Sequence, residues 1–484
     1  MNHHIDLNHR RNRNRIAKTT VISIGTAILS LALLTGGCSK KNASTNWSLK
    51  RSAASAQLKS FVAEKEAQAD AAARAEGTNM LPEYRTLFAA AAKGNWPTIH
   101  STFHNLSLRA PQYEHRGPSD ERLTGTQWAA VLEIYGAFEA FVPGDDKYCV
   151  AFGRDIIDSI PPGSIYFGGT EWGRFLVTAM CKSQVNADPF FVLTQNALAD
   201  STYLEYLRGM YGTKIYTPTD EDSKKCFQDY TEDAQRRMQS HQLMPGENVK
   251  MVDGKVQVSG QVAVMGVIGM VARVVFDKNP GREFYIEESF PFDWMYPYLE
   301  PHGLIFKINH QPLPGLSDEI LDRDHDYWAK LVQPMIGDWL TDNTTVEQVA
   351  AFAKKTFGKQ DFSGFTGDPR FVENAYSHKM FSKERTSIAG LYAWRAQQTT
   401  DAAEKKRMDD AADFAFRQAW ALCPYSPEAV IRYANLLMSE NRFSDALLVA
   451  ETAAKMPEMK GTNGAQLRGL VDQLKKIQQQ LKGR

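Results

Sequence analysis

The fold of this chain is decided by one stretch, Ile156-Ile157-Asp158-Ser159-Ile160-Pro161-Pro162-Gly163-Ser164-Ile165-Tyr166-Phe167-Gly168-Gly169-Thr170-Glu171-Trp172-Gly173-Arg174. The Pro-Pro-Gly run ends a helix, because proline removes a backbone donor, and Ser164 to Phe167 then reads as a strand. An apolar helix follows from about Trp172 to Lys182, and Asp188-Pro189 leads into a second strand, Phe190 to Thr194. This order predicts two parallel strands joined by a right-handed crossover. The loop between strand and helix then lies at the carboxyl edge, where open α/β sheets bind ligands.

Further strands are predicted on the carboxyl side of this unit. Asn248 to Val258 alternates around Asp253-Gly254, which is typical of a hairpin with a tight turn. Two more strands are predicted, Glu283 to Glu287 and Gly303 to Ile308. The predicted fold class is therefore α/β with an all-α tail, in which a small, mainly parallel sheet is flanked by helices.

Two segments between these strands carry separate predictions. Ser259 is expected to cap an apolar helix from Val262 to Phe276, because a serine hydroxyl accepts from free amides at a helix start. The polar and charged segment from Thr217 to Gly246 is expected to be partly irregular.

The tail contains an internal recurrence. Ala412, Phe416 and Ala419 recur as Ala446, Ala450 and Ala453 at a shift of 34 residues. Small residues on packing helices at this period resemble a tetratricopeptide repeat, and Gln466 to Leu481 is expected to be a polar capping helix. Arg432 and Asn435 lie off the apolar stripe of the same helix, so they are the predicted partner-binding residues.

The amino terminus reads as a targeting segment. A basic region precedes the short apolar run Val21 to Leu34, and Leu33-Leu34-Thr35-Gly36-Gly37-Cys38 follows. This sequence resembles a bacterial lipoprotein signal with lipidation at Cys38, although Thr35 stands where such signals carry an aliphatic residue. The predicted segments are a signal peptide at 1–37, a tether and helical stalk at 38–79, a helical cap at 80–145, an α/β domain at 146–383 and a tetratricopeptide-like helical domain at 384–484.

The central unit also resembles the soluble C-terminal region of a bacterial family of multi-spanning, protein O-mannosyltransferase-like membrane proteins. The likeness lies in Ile165 to Phe167, the Gly168-Gly169-Thr170-Glu171 loop, Asp188-Pro189 before the second strand, the later strand pair and the helical tail. That family places its catalytic acids in a membrane-embedded part that has no counterpart here. Its acidic loop is reduced to Glu171, so the resemblance implies the fold but does not carry over glycosyl transfer.

Each candidate site also has a simpler structural explanation. The candidate ligand edge consists of Gly168, Gly169, Thr170, Glu171 and Arg174, which would bind an anion at a helix start; the alternative is a glycine turn that permits close packing. Asp322-Arg323-Asp324-His325-Asp326 holds many potential metal ligands, but acids also favour a helix N-terminus, so no metal and no cofactor are predicted.

Composition limits the class of protein. The 56 basic and 56 acidic residues give zero formal net charge, which offers no electrostatic case for nucleic acid. No Cys-x-x-Cys pair is formed by the cysteines after Cys38, which are Cys149, Cys181, Cys226 and Cys423. The sequence is compatible both with buried free thiols and with disulfides. The expectation is a non-catalytic lipoprotein of the cell envelope, on the outer membrane facing the periplasm, that binds an envelope protein through its tail. The alternative is an envelope enzyme or accessory subunit acting on glycans.

Overall fold

The computed structural model of the chain describes residues 55–111, 118–169, 172–252, 254–288 and 290–482. The signal segment 1–37, Cys38, Thr170 and Glu171 lie outside the described residues. Helices are numbered here in chain order: α1 (Ser55–Ala75), α2 (Pro82–Ala92), α3 (Trp96–Ser107), α4 (Thr126–Phe141), α5 (Asp146–Ser159), α6 (Val177–Met180), α7 (Ser201–Tyr211), α8 (Asp220–Gln239), α9 (Gln261–Lys278), α10 (Asp318–Ile336), α11 (Val346–Phe352), α12 (Pro369–Glu373), α13 (Ala375–Gln398), α14 (Ala402–Leu422), α15 (Pro427–Ser439), α16 (Phe443–Ala454) and α17 (Ala465–Lys482). The strands are β1 (Ile165–Gly168), β2 (Phe191–Thr194), β3 (Asn248–Val252), β4 (Lys255–Ser259), β5 (Phe284–Glu287), β6 (Leu299–His302) and β7 (Ile305–Ile308).

The chain divides into two compact units. The first contains the described residues up to Glu139 together with Pro162–Arg282, and the second contains Ala140–Pro161 and the residues from Glu283 onward. Helix α5 therefore belongs to the second unit, although in the sequence it lies between the two segments of the first. The five segments expected from the sequence divide the chain elsewhere and stay a prediction.

The parallel strand pair of the first unit is confirmed. β1 pairs with β2 from Ile165 opposite Phe191 to Gly168 opposite Thr194, and both strands are buried along their whole length. The connecting helix begins with a π-helical turn, Trp172–Leu176, and continues as α6, so it ends two residues before the predicted Lys182. Buried strands of this kind need apolar cover on both faces, which matches their continuous apolar sequence.

Helix α1 does not form the exposed stalk that the sequence predicted. Its buried residues Leu58, Phe61 and Val62 pack in the first unit, where α1 contacts α2 and α6. Lys65 is fully buried, and its Nζ lies 2.7 Å from Glu133 Oε2 and 2.8 Å from the Tyr206 hydroxyl. The stalk prediction treated the lysine as solvated, whereas a buried partner carboxylate holds it inside.

Helix α8 occupies most of the segment from Thr217 to Gly246, which was expected to be partly irregular. Thr219 and Asp222 form a reciprocal capping box at its start. Cys226, Tyr230 and Ala234 are buried at intervals of four residues, which gives the otherwise polar helix a narrow inner face. The capping box and this spacing are both visible in the sequence, so the helix could have been predicted, and only the two ends of the segment are irregular.

The hairpin of β3 and β4 is confirmed, but the cap predicted at its end is wrong. The two strands pair antiparallel from Asn248 opposite Ser259 to Val252 opposite Lys255. Ser259 belongs to β4, and its hydroxyl accepts a bond from Asn248 Nδ2 at 2.9 Å. Helix α9 instead starts after Gly260, whose φ of 87° places it in the left-handed region.

The strands of the second unit are antiparallel, which corrects the expectation of a mainly parallel sheet. β5 pairs with β7, and β6 pairs with β7 through a two-residue turn at Gly303-Leu304, where Gly303 has a φ of 63°. β6 itself was not predicted, because it is four residues long and contains Pro301. Across both units the strand pairing is mixed.

The helices from α13 onward pack in sequence order, each against the next. Ala412, Ala419, Ala446 and Ala453 are fully buried, as the recurrence of small residues predicted. Helix α13 is buried on every side from Met380 to Tyr392, so the boundary predicted at residue 384 falls inside a central helix. The outer face of α17 is polar and exposed, while Leu467, Val471 and Leu474 face inward.

Candidate functional site

Gly168, the first residue of the candidate ligand edge, has a packing role. A Cβ added at Gly168 would lie 3.0 Å from Arg174 Cα and 3.1 Å from the Gly173 carbonyl oxygen. The Tyr166 hydroxyl donates to that same carbonyl at 2.6 Å, which fixes the π-helical turn against β1. Gly168 therefore permits the close approach of strand and helix, as the simpler alternative proposed. Gly169 follows it, and its carbonyl oxygen accepts a bond from Asn196 Nδ2 at 3.1 Å.

Arg174 is the charged member of this edge. Its guanidinium carbon lies 4.3 Å from the centre of the Phe175 ring, and the side chain is half-buried. Among the described residues, nothing accepts a hydrogen bond from its buried Nε. Burial raises the pKa of Tyr203 to about 12, and the charge of the Arg174 guanidinium acts on this pKa in the opposite direction. Arg174 is thus held near the carboxyl end of β2, since the Tyr203 hydroxyl accepts from Thr194 N at 2.6 Å.

Gln195 and Asn196, which follow β2 directly, were missed by the sequence analysis. Gln195 is fully buried, and in the described part of the chain neither its Nε2 nor its Oε1 has a hydrogen-bond partner. The buried Oδ1 of Asn196 is likewise without a partner there. The signal that could have found them was their position, because two amide side chains directly after a buried parallel strand stand at the edge that binds ligands.

The acidic run from Asp322 to Asp326 does not lie at a helix N-terminus, which corrects the structural role expected for it from the sequence. Helix α10 starts earlier, with Ser317 as its cap and Asp318 and Glu319 in its first turn, so the run lies inside the helix. Asp324 is buried, and its Oδ2 accepts from Arg385 Nη1 at 2.6 Å and from the Tyr392 hydroxyl at 2.7 Å. Within the described ranges, no group of three or more His, Cys, Asp or Glu side chains is placed to hold a metal ion.

Arg432 and Asn435, the predicted partner-binding residues, differ in their surroundings. Asn435 is exposed on α15. Arg432 is mostly covered: its guanidinium carbon lies 5.0 Å from the centre of the Phe290 ring, and its Nη1 lies 3.4 Å from Glu428 Oε1. A Cβ at Gly390 would lie 1.5 Å from Arg432 Nη2, so the glycine in α13 makes the space that the guanidinium fills.

Aromatic side chains extend this arrangement into a surface patch. Phe290 is 59% exposed, which is unusual for a phenylalanine, and Arg432 covers one face of its ring. Tyr296 and Trp394 pack together with ring centres 5.3 Å apart. Burial raises the pKa of Tyr296, and Arg432 opposes that shift, so the tyrosine belongs to the same neighbourhood. We call Phe290, Tyr296, Trp394 and Arg432 the aromatic–arginine patch.

A separate cleft of about 430 Å³ lies near the end of α10. Its walls include Trp339, Phe352 and Phe365, and the centres of the first two rings are 4.4 Å apart. The Trp339 Nε1 donates inward to the Ile336 carbonyl at 2.8 Å, so this tryptophan offers only its ring to the cleft.

The chain has no match among protein-family models, curated proteins or solved structures. None of the helices in the described ranges has the length and apolar content needed to cross a membrane. Function must therefore be argued from the side chains themselves.

Proposed function

We propose that this chain is a non-catalytic, lipid-anchored protein of the cell envelope that binds a protein partner through its C-terminal helices. The observation that carries this proposal is the aromatic–arginine patch. Arginine and large aromatic residues supply most of the binding energy at protein interfaces, particularly where they are already held in place. An exposed phenylalanine stacked on a positioned arginine has that chemistry.

The helical tail supports the same proposal. Helices α13 to α16 form two successive hairpins, and α17 covers the last of them with a polar outer face. This order, with buried alanines at the 34-residue recurrence, is similar to tetratricopeptide repeats, which bind peptides on the first helices of their hairpins. Arg432 and Asn435 lie on such a first helix, α15.

Gly390→Ala is the sharpest variant for testing the patch. The new methyl group would displace the Arg432 guanidinium from Phe290 without changing any charge. We expect Gly390→Ala and Phe290→Ala to reduce the amount of partner co-purified with the tagged protein from its native envelope. Lys406→Ala, at an exposed position on α14, is the control and should leave the recovered partner unchanged.

One outcome of that experiment and two further variants bear on the proposal. Equal recovery of the same proteins with wild type, Gly390→Ala and Phe290→Ala would remove the patch as the binding surface. Arg432→Glu is a weaker test, because the guanidinium is mostly covered and a loss of stability is expected together with a loss of binding. Asn435 is exposed, so Asn435→Ala is expected to keep the fold. Its effect on the recovered partner measures whether the exposed side of α15 takes part in binding.

The anchor is a separate part of the proposal, and its residue lies outside the described range. Cys38→Ser should stop incorporation of labelled palmitate and release the chain from the membrane fraction or leave it unprocessed. Continued lipid labelling of Cys38→Ser would show that another residue carries the lipid. The outer-membrane location rests on the lipoprotein resemblance, in which a serine such as Ser39, rather than an aspartate, after the lipidated cysteine favours sorting to the outer membrane. Fractionation of the two membranes tests it.

The role in glycan chemistry is the second candidate, supported by the resemblance of the central unit to the mannosyltransferase-like family. It would place the active groups at the edge formed by Gly168, Gly169 and Arg174. Retained fold with lost turnover in Arg174→Met would favour this candidate over a packing role for the edge.

A further inference from the structure

The carboxyl edge of the parallel strand pair gathers buried polar atoms that have no protein partner. Gln195 offers an amide nitrogen and an amide oxygen, Asn196 offers an amide oxygen, and Arg174 offers Nε, all unpaired in the described part of the chain. An unpaired buried polar atom costs about 1–3 kcal/mol, so native proteins rarely keep several together without something that satisfies them.

Arg174, Gln195 and Asn196 belong to segments that meet at this edge. Gly168 is opposite Thr194 in the register, so the residues after each strand, Gly169 and Gln195, leave the same edge. The bond from Asn196 Nδ2 to the Gly169 carbonyl joins the two segments. The Arg174 Cα lies 3.0 Å from a Cβ built on Gly168, so the backbone of Arg174 lies at this edge as well.

We propose that this edge binds a small carboxylate that carries a hydroxyl or amino group next to its carboxyl carbon. Arg174 Nε and Gln195 Nε2 donate to the carboxylate, and Gln195 Oε1 and Asn196 Oδ1 accept from the neighbouring hydroxyl or ammonium. Two donors, one of them cationic, beside two acceptors match that ligand, whereas a simple anion would leave both amide oxygens unpaired.

The proposal is independent of the partner-binding function, since the residues of the two sites are different. Amino acids and 2-hydroxy acids share the required chemistry, so each is a separate arm of the test. Purified full-length protein in detergent is titrated by calorimetry with L-alanine, L-glutamate and L-lactate, and with acetate and chloride at the same ionic strength.

Saturable binding of at least one amino acid or of L-lactate is expected, with acetate at least about tenfold weaker, because losing one hydrogen bond to a charged group costs about one factor of ten or more. Gln195→Leu and Arg174→Met should each weaken that binding by about tenfold or more. Arg236→Met, at an exposed position on α8, is the matched control and should bind as the wild type does.

Gln195→Leu also separates binding from folding. Because it replaces unpaired buried amide atoms with carbon, its melting temperature without ligand should equal or exceed that of the wild type. A lower melting temperature would show that the amide is paired in the folded protein and would overturn the site. So would the absence of heat with all three ligands at 10 mM, acetate binding as tightly as they do, or unchanged affinity in both variants.

Discussion

A single methyl group decides whether α4 can pack beside the π-helical turn. A Cβ at Gly136 would lie 2.3 Å from Phe175 Cε2, and that ring is buried. Gly136→Ala should therefore lower the free energy of unfolding by about 1–3 kcal/mol, less a helix-propensity gain of up to about 1 kcal/mol. Urea unfolding measures the change.

Gly209→Ala is the matched control for that experiment. Gly209 also lies inside a helix, α7, but an added Cβ would meet nothing within 4 Å. This variant should raise the free energy of unfolding by about 0.5–1 kcal/mol. If both alanine variants changed stability equally, close packing at Gly136 would not be the cause.

His378 should make the protein sensitive to acid. Its ring is fully buried between the Phe371 carbonyl at 3.2 Å and the Tyr425 hydroxyl at 2.6 Å. Burial lowers the pKa of His378 to about 3, which is far below the value of about 6.5 in an unfolded chain. The unfolded chain then binds the proton first, so stability is complete above about pH 6.5 and is lost as the pH falls toward 3.

The expected loss is up to about 1.4 kcal/mol per pH unit in that interval. Urea unfolding at pH 7.5, 6 and 5 measures the slope for wild type and for His378→Gln, which cannot take up the proton. The glutamine variant should show a smaller slope, while His104→Gln, at an exposed position on α3, should keep the wild-type slope. Identical slopes in all three proteins would exclude His378 as the group responsible.

At the scale of elements, α13 is the least expected part of the molecule. Its residues Lys383, Glu384 and Arg385 are all buried, although their composition is typical of a solvated face. Lys383 pairs with Glu384 at 3.0 Å and with Glu287, and burial raises the pKa of Glu384. Arg385 is satisfied by Asp324 and by Gln418 Oε1 at 2.7 Å. The helix is therefore held by ion pairs on the inside.

Asp324→Ala should be among the most damaging substitutions in α10. It would leave the Arg385 charge buried with only neutral partners, at a cost of about 3–5 kcal/mol in the free energy of unfolding. Asp410→Ala, which breaks the exposed pair with Lys406, should cost less than about 1 kcal/mol. Denaturant unfolding compares the two, and a similar small loss for both would mean that the buried pair contributes little.

The sequence predicted those elements whose signals are local. β1, β2 and the β3–β4 hairpin follow from apolar runs, alternation and an Asp-Gly turn. It did not predict β6, whose four residues contain a proline, or the antiparallel pairing at Gly303-Leu304. Lys65 and Arg385 could not be predicted as buried, because burial of a charge depends on a partner supplied by a distant segment. For the same reason the unpaired state of Gln195 is visible only in three dimensions.

For the whole molecule, the four described cysteines report on global unfolding. Cys149, Cys181, Cys226 and Cys423 are free and buried. Burial raises the pKa of Cys226 to about 11 and that of Cys423 to about 12, so at pH 8 only about 0.1% or less of either thiol is thiolate.

Alkylation should therefore be slow in the native protein and fast once it unfolds. In the Cys38→Ser variant, mass spectrometry after treatment with iodoacetamide should find few modified chains in buffer and four modifications in denaturant. Cys226, with the lower pKa of the two, should react before Cys423. Fewer than four modifications in denaturant without reductant would reveal a disulfide, and rapid labelling in buffer would show that a thiol is accessible.

The packing of α1 into the first unit fixes how far the protein can reach. Under the proposed anchoring, the lipid on Cys38 and the start of α1 at Ser55 are joined by the chain between them. Seventeen peptide links, fully extended, span roughly 60 Å. The start of the first unit would then lie within roughly that distance of the membrane surface, so anchoring at Cys38 would confine the first unit to the region next to the membrane.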